Sequence, residues 1–207
     1  MARGKICAVL GTSGSGKSTL LNMLAGLERP SAGTVSIGKY RIDTLSEVQL
    51  AKFRQKHTGF VFQSYNLIPS LTAVENVELP LIFRGADKKE RRERALEMLR
   101  LVGIENRAGH KPNEMSGGQQ QRVGIARAFV SSPKVIFADE PTGNLDSKTT
   151  NEVMTLITDL VHKNNQTMVL VTHDINVASF ADITVNISDG RISSVCENEK
   201  ENSNEKD

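Results

Sequence analysis

Short apolar runs alternate with longer amphipathic stretches along most of this chain. From Lys5 to Leu10 the residues are nearly all apolar, the pattern of a central parallel strand covered on both faces. Leu20, Leu21, Leu24 and Leu27 then fall on one helical face, with Pro30 beyond its end. Thr34-Val35-Ser36-Ile37 alternates and predicts a half-buried strand, and Phe60-Val61-Phe62 predicts another short one. The middle of the chain differs. Asp87 to Arg100 is densely charged, but Ala95, Leu96, Met98, Leu99 and Val102 supply the stripe of an amphipathic helix.

The first pattern then returns. Val135-Ile136-Phe137-Ala138 reads as a buried strand that ends in Asp139-Glu140. Val153, Leu156, Ile157, Leu160 and Val161 mark a helix face, and Met168-Val169-Leu170-Val171 is the next buried strand, ending near His173. Ile183 to Ile187 alternates, and Asp189-Gly190 reads as a hairpin turn into Arg191-Ile192. The prediction is an α/β domain with a mostly parallel sheet over residues 1–195, interrupted by a helical subdomain at about residues 64–130. Residues 196–207 are polar and are expected to be a disordered tail. No internal repeat is visible.

Composition narrows the class. Hydrophobic residues make up 38% and charged residues 24%, which suits a soluble globular protein. A net charge of +2 gives no argument for nucleic acid or anionic lipid, and the run Lys88 to Arg94 reads as a solvated helix face rather than a nucleic-acid contact. No apolar run approaches the ~18–20 residues of a membrane span. Arg3 and Lys5 precede Ile6 to Leu10 in a basic-then-apolar order, but that run is shorter than the ~7–15 residues of a signal segment and leads straight into a glycine-rich loop. Cys7 and Cys196 suggest no disulfide framework and fit a reducing cytosol.

The glycine-rich loop carries the first chemistry. Gly11-Thr12-Ser13-Gly14-Ser15-Gly16-Lys17-Ser18 fits the phosphate-loop spacing, follows a strand and opens a helix, which is the context that spacing requires. Its glycines let the backbone wrap phosphates, Lys17 reaches the β- and γ-phosphates, and the Ser18 hydroxyl suits Mg²⁺. Asp139-Glu140 sits at the carboxyl edge of the sheet, where such folds bind ligands. Two adjacent acids suggest two tasks: Asp139 to hold Mg²⁺ and Glu140 to activate water. His173, at the end of the neighbouring strand, is expected to reach the same γ-phosphate. Gln63 ends a strand and offers a neutral amide oxygen to Mg²⁺, a ligand it can release easily. A second glycine-rich turn, Met115-Ser116-Gly117-Gly118-Gln119-Gln120, also opens a helix. One nucleotide needs one such cradle, so a second suggests a nucleotide held by another copy of the chain.

With these residues in order, the chain resembles the ATP-binding subunits of ATP-binding-cassette (ABC) transporters from Gly4 to Ile192. The resemblance implies a P-loop NTPase fold with a helical subdomain and a truncated antiparallel β-subdomain. Gly11 to Thr19 is similar to the Walker A loop, Gln63 to the Q-loop glutamine and Val135 to Glu140 to Walker B with its catalytic glutamate. Ser116-Gly117-Gly118-Gln119-Gln120 is similar to the ABC signature, with Met115 in place of the usual leucine. Gly143-Asn144-Leu145-Asp146 is similar to the D-loop and His173 to the switch histidine. By this resemblance Ser116 and Gly118 contact the γ-phosphate of ATP held by the opposite subunit. Lys17, Glu140 and His173 carry catalysis. Gly117, Gln119 and Asp146 complete the nucleotide site, with ATP and Mg²⁺ as its ligands. Ser64 to Pro69, Leu71 to Val77 and Ala138 to Asp146 resemble the lipoprotein-release and macrolide-export type. That type implies a homodimer docked on a membrane-spanning permease at the cytoplasmic face of the membrane.

One departure stands out. The family carries two further strands and an adenine-stacking aromatic before Walker A, whereas ten residues precede Gly11 here and none is aromatic. The expectations are weaker ATP binding, by roughly ten- to a hundred-fold, and a segment Thr34 to Ile37 without a strand partner. Soluble ABC ATPases of DNA repair insert a long coiled coil between the Q-loop and the signature, and the 52 residues between Gln63 and Ser116 leave no room for one. A non-catalytic nucleotide sensor fits poorly with intact Lys17, Asp139, Glu140 and His173.

Overall fold

The computed structural model describes residues 1–198. In chain order its elements are β1 (Ile6–Leu10), α1 (Lys17–Leu24), β2 (Ser36–Ile37), β3 (Tyr40–Arg41), α2 (Glu47–His57), β4 (Thr58–Phe62), α3 (Ala73–Phe83), α4 (Lys88–Leu101), α5 (Gly117–Phe129), β5 (Val135–Asp139), α6 (Ser147–Lys163), β6 (Thr167–Thr172), α7 (Ile175–Ala178), β7 (Ile183–Ser188) and β8 (Arg191–Glu197). Six strands form one sheet in the order β4-β5-β6-β1-β7-β8. All its pairings are parallel except β7 with β8, which pair antiparallel.

The apolar runs become strands because both sheet faces are covered. Ile136, Ala138, Met168 and Leu170 face one core cluster, while Phe137, Val169, Val171 and Val9 face the other. That is the period-two alternation of a strand read on two buried sides. Register aligns the carboxyl ends: Phe62 pairs with Asp139, Asp139 with Val171, and Leu10 with Thr172. Gln63, Glu140, His173 and Gly11 each follow one of these strands, so they emerge along one edge of the sheet.

Between β4 and β5 lie α3, α4 and α5. Asn76, fully buried, ties the preceding loop to α3: its amide donates to Ile68 O, Leu71 O and Thr72 O, and its Oδ1 accepts from Ile68 N. Arg84 closes the other end of α3 by donating to the carbonyls of Gln55, Lys56 and Ser131.

Three sequence expectations need correction. α1 ends at Leu24, Gly26 turns the chain at φ 66°, and Leu27 is exposed rather than on the helix face. Of Thr34 to Ile37 only Ser36–Ile37 is strand, and it has a partner: it pairs with Tyr40–Arg41 across the Gly38–Lys39 turn, backed by Ile42, Leu50 and Phe53. β8 continues to Glu197, past the expected end of the domain at 195. Asn198 then donates to Ala181 O and Thr184 Oγ1. The remainder of the expected tail, 199–207, lies outside the described residues. Asp189 and Gly190, at φ 50° and 73°, make the expected hairpin turn.

Candidate active site

Between β1 and α1 the chain forms a glycine-rich turn over residues 11–16. Gly14 and Gly16 take left-handed φ values of 80° and 96°, which L residues resist. Gly11 packs so tightly that a Cβ there would lie 2.4 Å from Ile187 O and 2.7 Å from Ser15 Oγ. Lys17 is buried and its Nζ donates to Thr12 O at 2.8 Å, so the ammonium is folded into the loop it serves. Ser15 Oγ is buried without a hydrogen-bond partner among the described residues. Thr12, Ser13, Gly14, Ser18 and Thr19 are exposed around the rim. Left-handed glycines, a curled lysine, an unpartnered hydroxyl and a helix N-terminus together form an anion cradle.

The two acids meet this cradle from β5. Ser18 Oγ donates to Asp139 Oδ1 at 3.2 Å, so hydroxyl and carboxylate converge on one point. Glu140 has φ 46°, its N–H donates to Val171 O, and Gly143 N donates back to Glu140 O. His173 Nδ1 lies between the Glu140 oxygens, at 2.7 and 2.9 Å. In this structure His173 therefore reaches Glu140, and its side chain is 62% exposed. Gln63 is exposed beside them, its Nε2 donating to Asn144 Oδ1 at 3.3 Å while Asn144 Nδ2 donates to Gln63 O at 3.0 Å.

The second glycine-rich turn is built differently. Ser116 caps α5 reciprocally: its Oγ accepts from Gln119 N at 3.3 Å and its N–H donates to Gln119 Oε1 at 3.0 Å. Met115, the departure from leucine, is buried in the core as a leucine would be. Asp146 caps α6, accepting from Thr149 Oγ1 at 2.6 Å and Thr149 N at 3.0 Å. Those bonds, hydroxyl first, hold its carboxyl below the usual carboxylate range. A Cβ on Gly118 would lie 2.9 Å from Thr149 Cγ2, so the two caps sit together. Among the described residues, no hydrogen bond joins Ser116 to Gln119 with Gly11 to Ser18.

Several contacts around the site were not predicted from sequence. Asn144 locks Gln63 to the turn after Glu140. Gln121 is fully buried and donates its amide to Pro141 O, tying α5 to the same turn. Tyr65 and Asn66, beyond Gln63 and Ser64, take left-handed φ values of 61° and 49°, and Arg127 donates to both their carbonyls. Two consecutive non-glycine residues with positive φ leave no signature in sequence. The Asn144 partnership could have been sought in the neighbouring asparagine of a known turn.

A family model described as ABC transporter matches residues 1–143. The chain is 52% identical over 193 residues to an uncharacterized ABC transporter ATP-binding protein, MJ0796, of Methanocaldococcus jannaschii, covering 91% of this chain and 82% of that protein. It is 49% identical over 189 residues to the macrolide export ATP-binding/permease protein MacB of Burkholderia thailandensis, covering 91% of this chain but 29% of that protein. The dimeric post-hydrolysis structure of the MJ0796 cassette bound to ADP and Pi superposes with a TM-score of 0.88 at 48% identity, over 97% of this chain and 88% of that one. A fold shared at this identity, carrying the cradle and acids described above, means that the chain belongs to the ABC transporter family as one of its ATP-binding cassettes.

Proposed function

We propose that this chain binds and hydrolyses ATP as the cassette subunit of a transporter, two copies closing on two ATP molecules and driving a separate membrane-spanning permease. The observation that carries this reading is the Asp139 contact with Ser18 at the cradle, with the Glu140–His173 pair at the adjoining strand ends. A site that only sensed nucleotide would have no use for a carboxylate oriented by an imidazole at the phosphate end.

Gly11 to Gly16 bind the phosphates through backbone N–H groups, and Lys17 through its ammonium. Ser18 and Asp139, with Gln63 beside them, fit Mg²⁺, which takes one or two protein oxygens and completes its shell with phosphate and water. When bound, that ion would neutralise charge developing on the phosphates. Glu140 accepts a proton from the attacking water, and His173 keeps the carboxylate aimed. Ser116, Gly117 and Gly118 serve the nucleotide of the opposite copy, with Gln119 capping their turn and Asp146 placed beside them. Opening follows loss of the γ-phosphate contacts.

No helix among the described residues is long and apolar enough to cross a membrane. A groove of about 720 Å³ runs between α2, β4 and the end of α3, lined by Val48, Phe60, Phe62, Leu79, Phe83 and Ala128. Phe83 and Val48 are 67% and 66% exposed at its edge, apolar surface that suits a protein partner. We assign the permease to this groove; a chain docked there is peripheral to the membrane, and we take its side to be the cytoplasmic face. The macrolide-export relatives favour export or extraction as the direction of transport. The test is light scattering of the Glu140→Gln chain with and without Mg-ATP, alongside phosphate release by the parent. A monomer-to-dimer shift and steady release are expected. Absence of both overturns the reading.

A further inference from the structure

Tyr65 lies lengthwise on α5. A Cβ on Gly124 would sit 3.6 Å from Tyr65 O, and one on Gly117 would sit 2.8 Å from Tyr65 Oη. Those glycines are seven residues apart, so they share a helix face about 10 Å apart along the axis. The tyrosine therefore spans two turns, with its backbone at one glycine and its hydroxyl at the other. Gly117 is the tight point: a side chain there would displace the Tyr65 hydroxyl, whereas the 3.6 Å at Gly124 is ordinary van der Waals contact.

What keeps the tyrosine there is Arg127. Its guanidinium donates to Tyr65 O at 2.7 Å and to Asn66 O, one turn beyond Gly124 on the same helix. Tyr65 and Asn66 are both held at positive φ, a conformation that persists only where the surroundings enforce it. The planar fork of arginine matches two adjacent carbonyls, which a lysine ammonium does not. Burial pushes the guanidinium below its ordinary pKa, as expected for a charge spent on internal carbonyls rather than on solvent. Arg127 makes no salt bridge among the described residues. It also lines the groove assigned to the permease.

The chain of contact thus runs from Arg127 through Tyr65 to the first turn of α5, where Ser116 and Gly117 stand. Upstream it runs through Ser64 to Gln63. We propose that Arg127 is a positioning residue: it holds Tyr65 along α5 and so fixes how Ser116 to Gly118 are presented to the nucleotide of the second copy. It has no part in binding nucleotide to its own cradle. This inference rests on the two-copy reading above.

The experiment measures two quantities in a Glu140→Gln background. One is the ATP dissociation constant of the monomer at low protein concentration. The other is the protein concentration for half-dimerisation in Mg-ATP. Arg127→Met keeps the length of the side chain and removes both donors. It is expected to leave monomer affinity within about twofold and to raise the half-dimerisation concentration at least about tenfold. Arg127→Lys, which keeps the charge but not the fork, is expected to fall between and serves if the methionine variant does not fold. Dimerisation unchanged in these variants overturns the proposal, and so does a monomer affinity that weakens in parallel, which marks a merely structural role. If the Arg127 parent itself does not dimerise, the two-copy reading fails first and the proposal fails with it.

Discussion

His173 Nδ1 lies 2.7 Å from one oxygen of Glu140 and 2.9 Å from the other. Along a regular strand Asp139 and Glu140 would point to opposite faces. The left-handed backbone of Glu140, at φ 46°, breaks that alternation, and the turn bond from Gly143 N fixes the break. Both acids then serve one pole of the sheet. His173, from the neighbouring strand, completes the arrangement by restraining a carboxylate on an otherwise adaptable side chain.

If the pair acts as a unit, its losses will not add. Glu140→Gln is expected to lower turnover by at least about a hundredfold, and His173→Ala by roughly ten- to a hundredfold with KM little changed. The double variant should be no slower than Glu140→Gln alone. Phosphate release at saturating ATP measures all three. Additive losses in the double variant would place the residues in separate steps.

Gln63 is placed by the turn that follows Glu140. A Cβ at Gly143 would lie 2.7 Å from Gln63 Nε2 and 3.1 Å from its Cδ, so Gly143→Ala must move the glutamine. Gly143 is exposed and its φ is not positive, so the fold itself should tolerate the change within about 0.5 kcal/mol. The expected effect is selective: a severalfold higher Mg²⁺ concentration for half-maximal ATPase activity, with an unchanged unfolding midpoint. A Mg²⁺ titration that overlays the parent curve would remove Gln63 from the metal site.

Two glycines of the phosphate loop are required for different reasons. At Gly11 a Cβ meets the backbone oxygen of Ile187, which cannot swing aside, whereas at Gly14 it meets nothing within 4 Å but φ is 80°. Gly11→Ala is therefore expected to cost about 2–3 kcal/mol of stability, as overpacking does, and to abolish ATP binding. Gly14→Ala should cost about 1–2 kcal/mol from the left-handed backbone alone and only weaken binding. Urea unfolding and ATP titration separate the two. Equal costs would contradict the packing account of Gly11.

The sheet was legible because its strands are buried on both faces and so read as unbroken apolar runs. The cradle and the acids were legible because their spacing along the chain is itself the constraint. α2 and α3 were missed for opposite reasons. α2 buries only Leu50, Phe53 and His57 among many charges, and α3 is apolar nearly all round, so neither shows a clean stripe. Their capping boxes, Ser46 with Gln49 and Thr72 with Glu75, were the available signal. Contacts such as Arg127 to Tyr65 join residues far apart in sequence, through backbone carbonyls that every residue possesses. No side-chain pattern records them.

His57 closes α2. Its ring is buried, with Tyr40 and Phe53 centroids 5.2 and 5.0 Å away. A helix C-terminus favours the protonated ring by about 0.3–1 kcal/mol. Burial opposes it, reinforced by Lys134, Lys56 and Arg84, and the balance leaves the pKa below its ordinary 6.5. The unfolded chain then binds the proton more readily than the folded one. The stability that the neutral ring contributes is complete above about pH 6.5 and is lost as pH falls from there toward the folded value. Carboxyls held below their usual range, such as Asp43 and Glu75, remain charged through this interval and do not contribute. The parent should therefore melt at a lower temperature at pH 5.5 than at pH 7.5, and His57→Leu should narrow that gap. Because Tyr40 and Phe53 join the β2–β3 hairpin to α2, beside the groove, the acid-labile part should be this corner. Hydrogen exchange at pH 5.5 is expected to accelerate in Tyr40, Arg41 and the last turn of α2 before the β-sheet core responds. A gap of the same size in His57→Leu would assign the pH dependence to other groups.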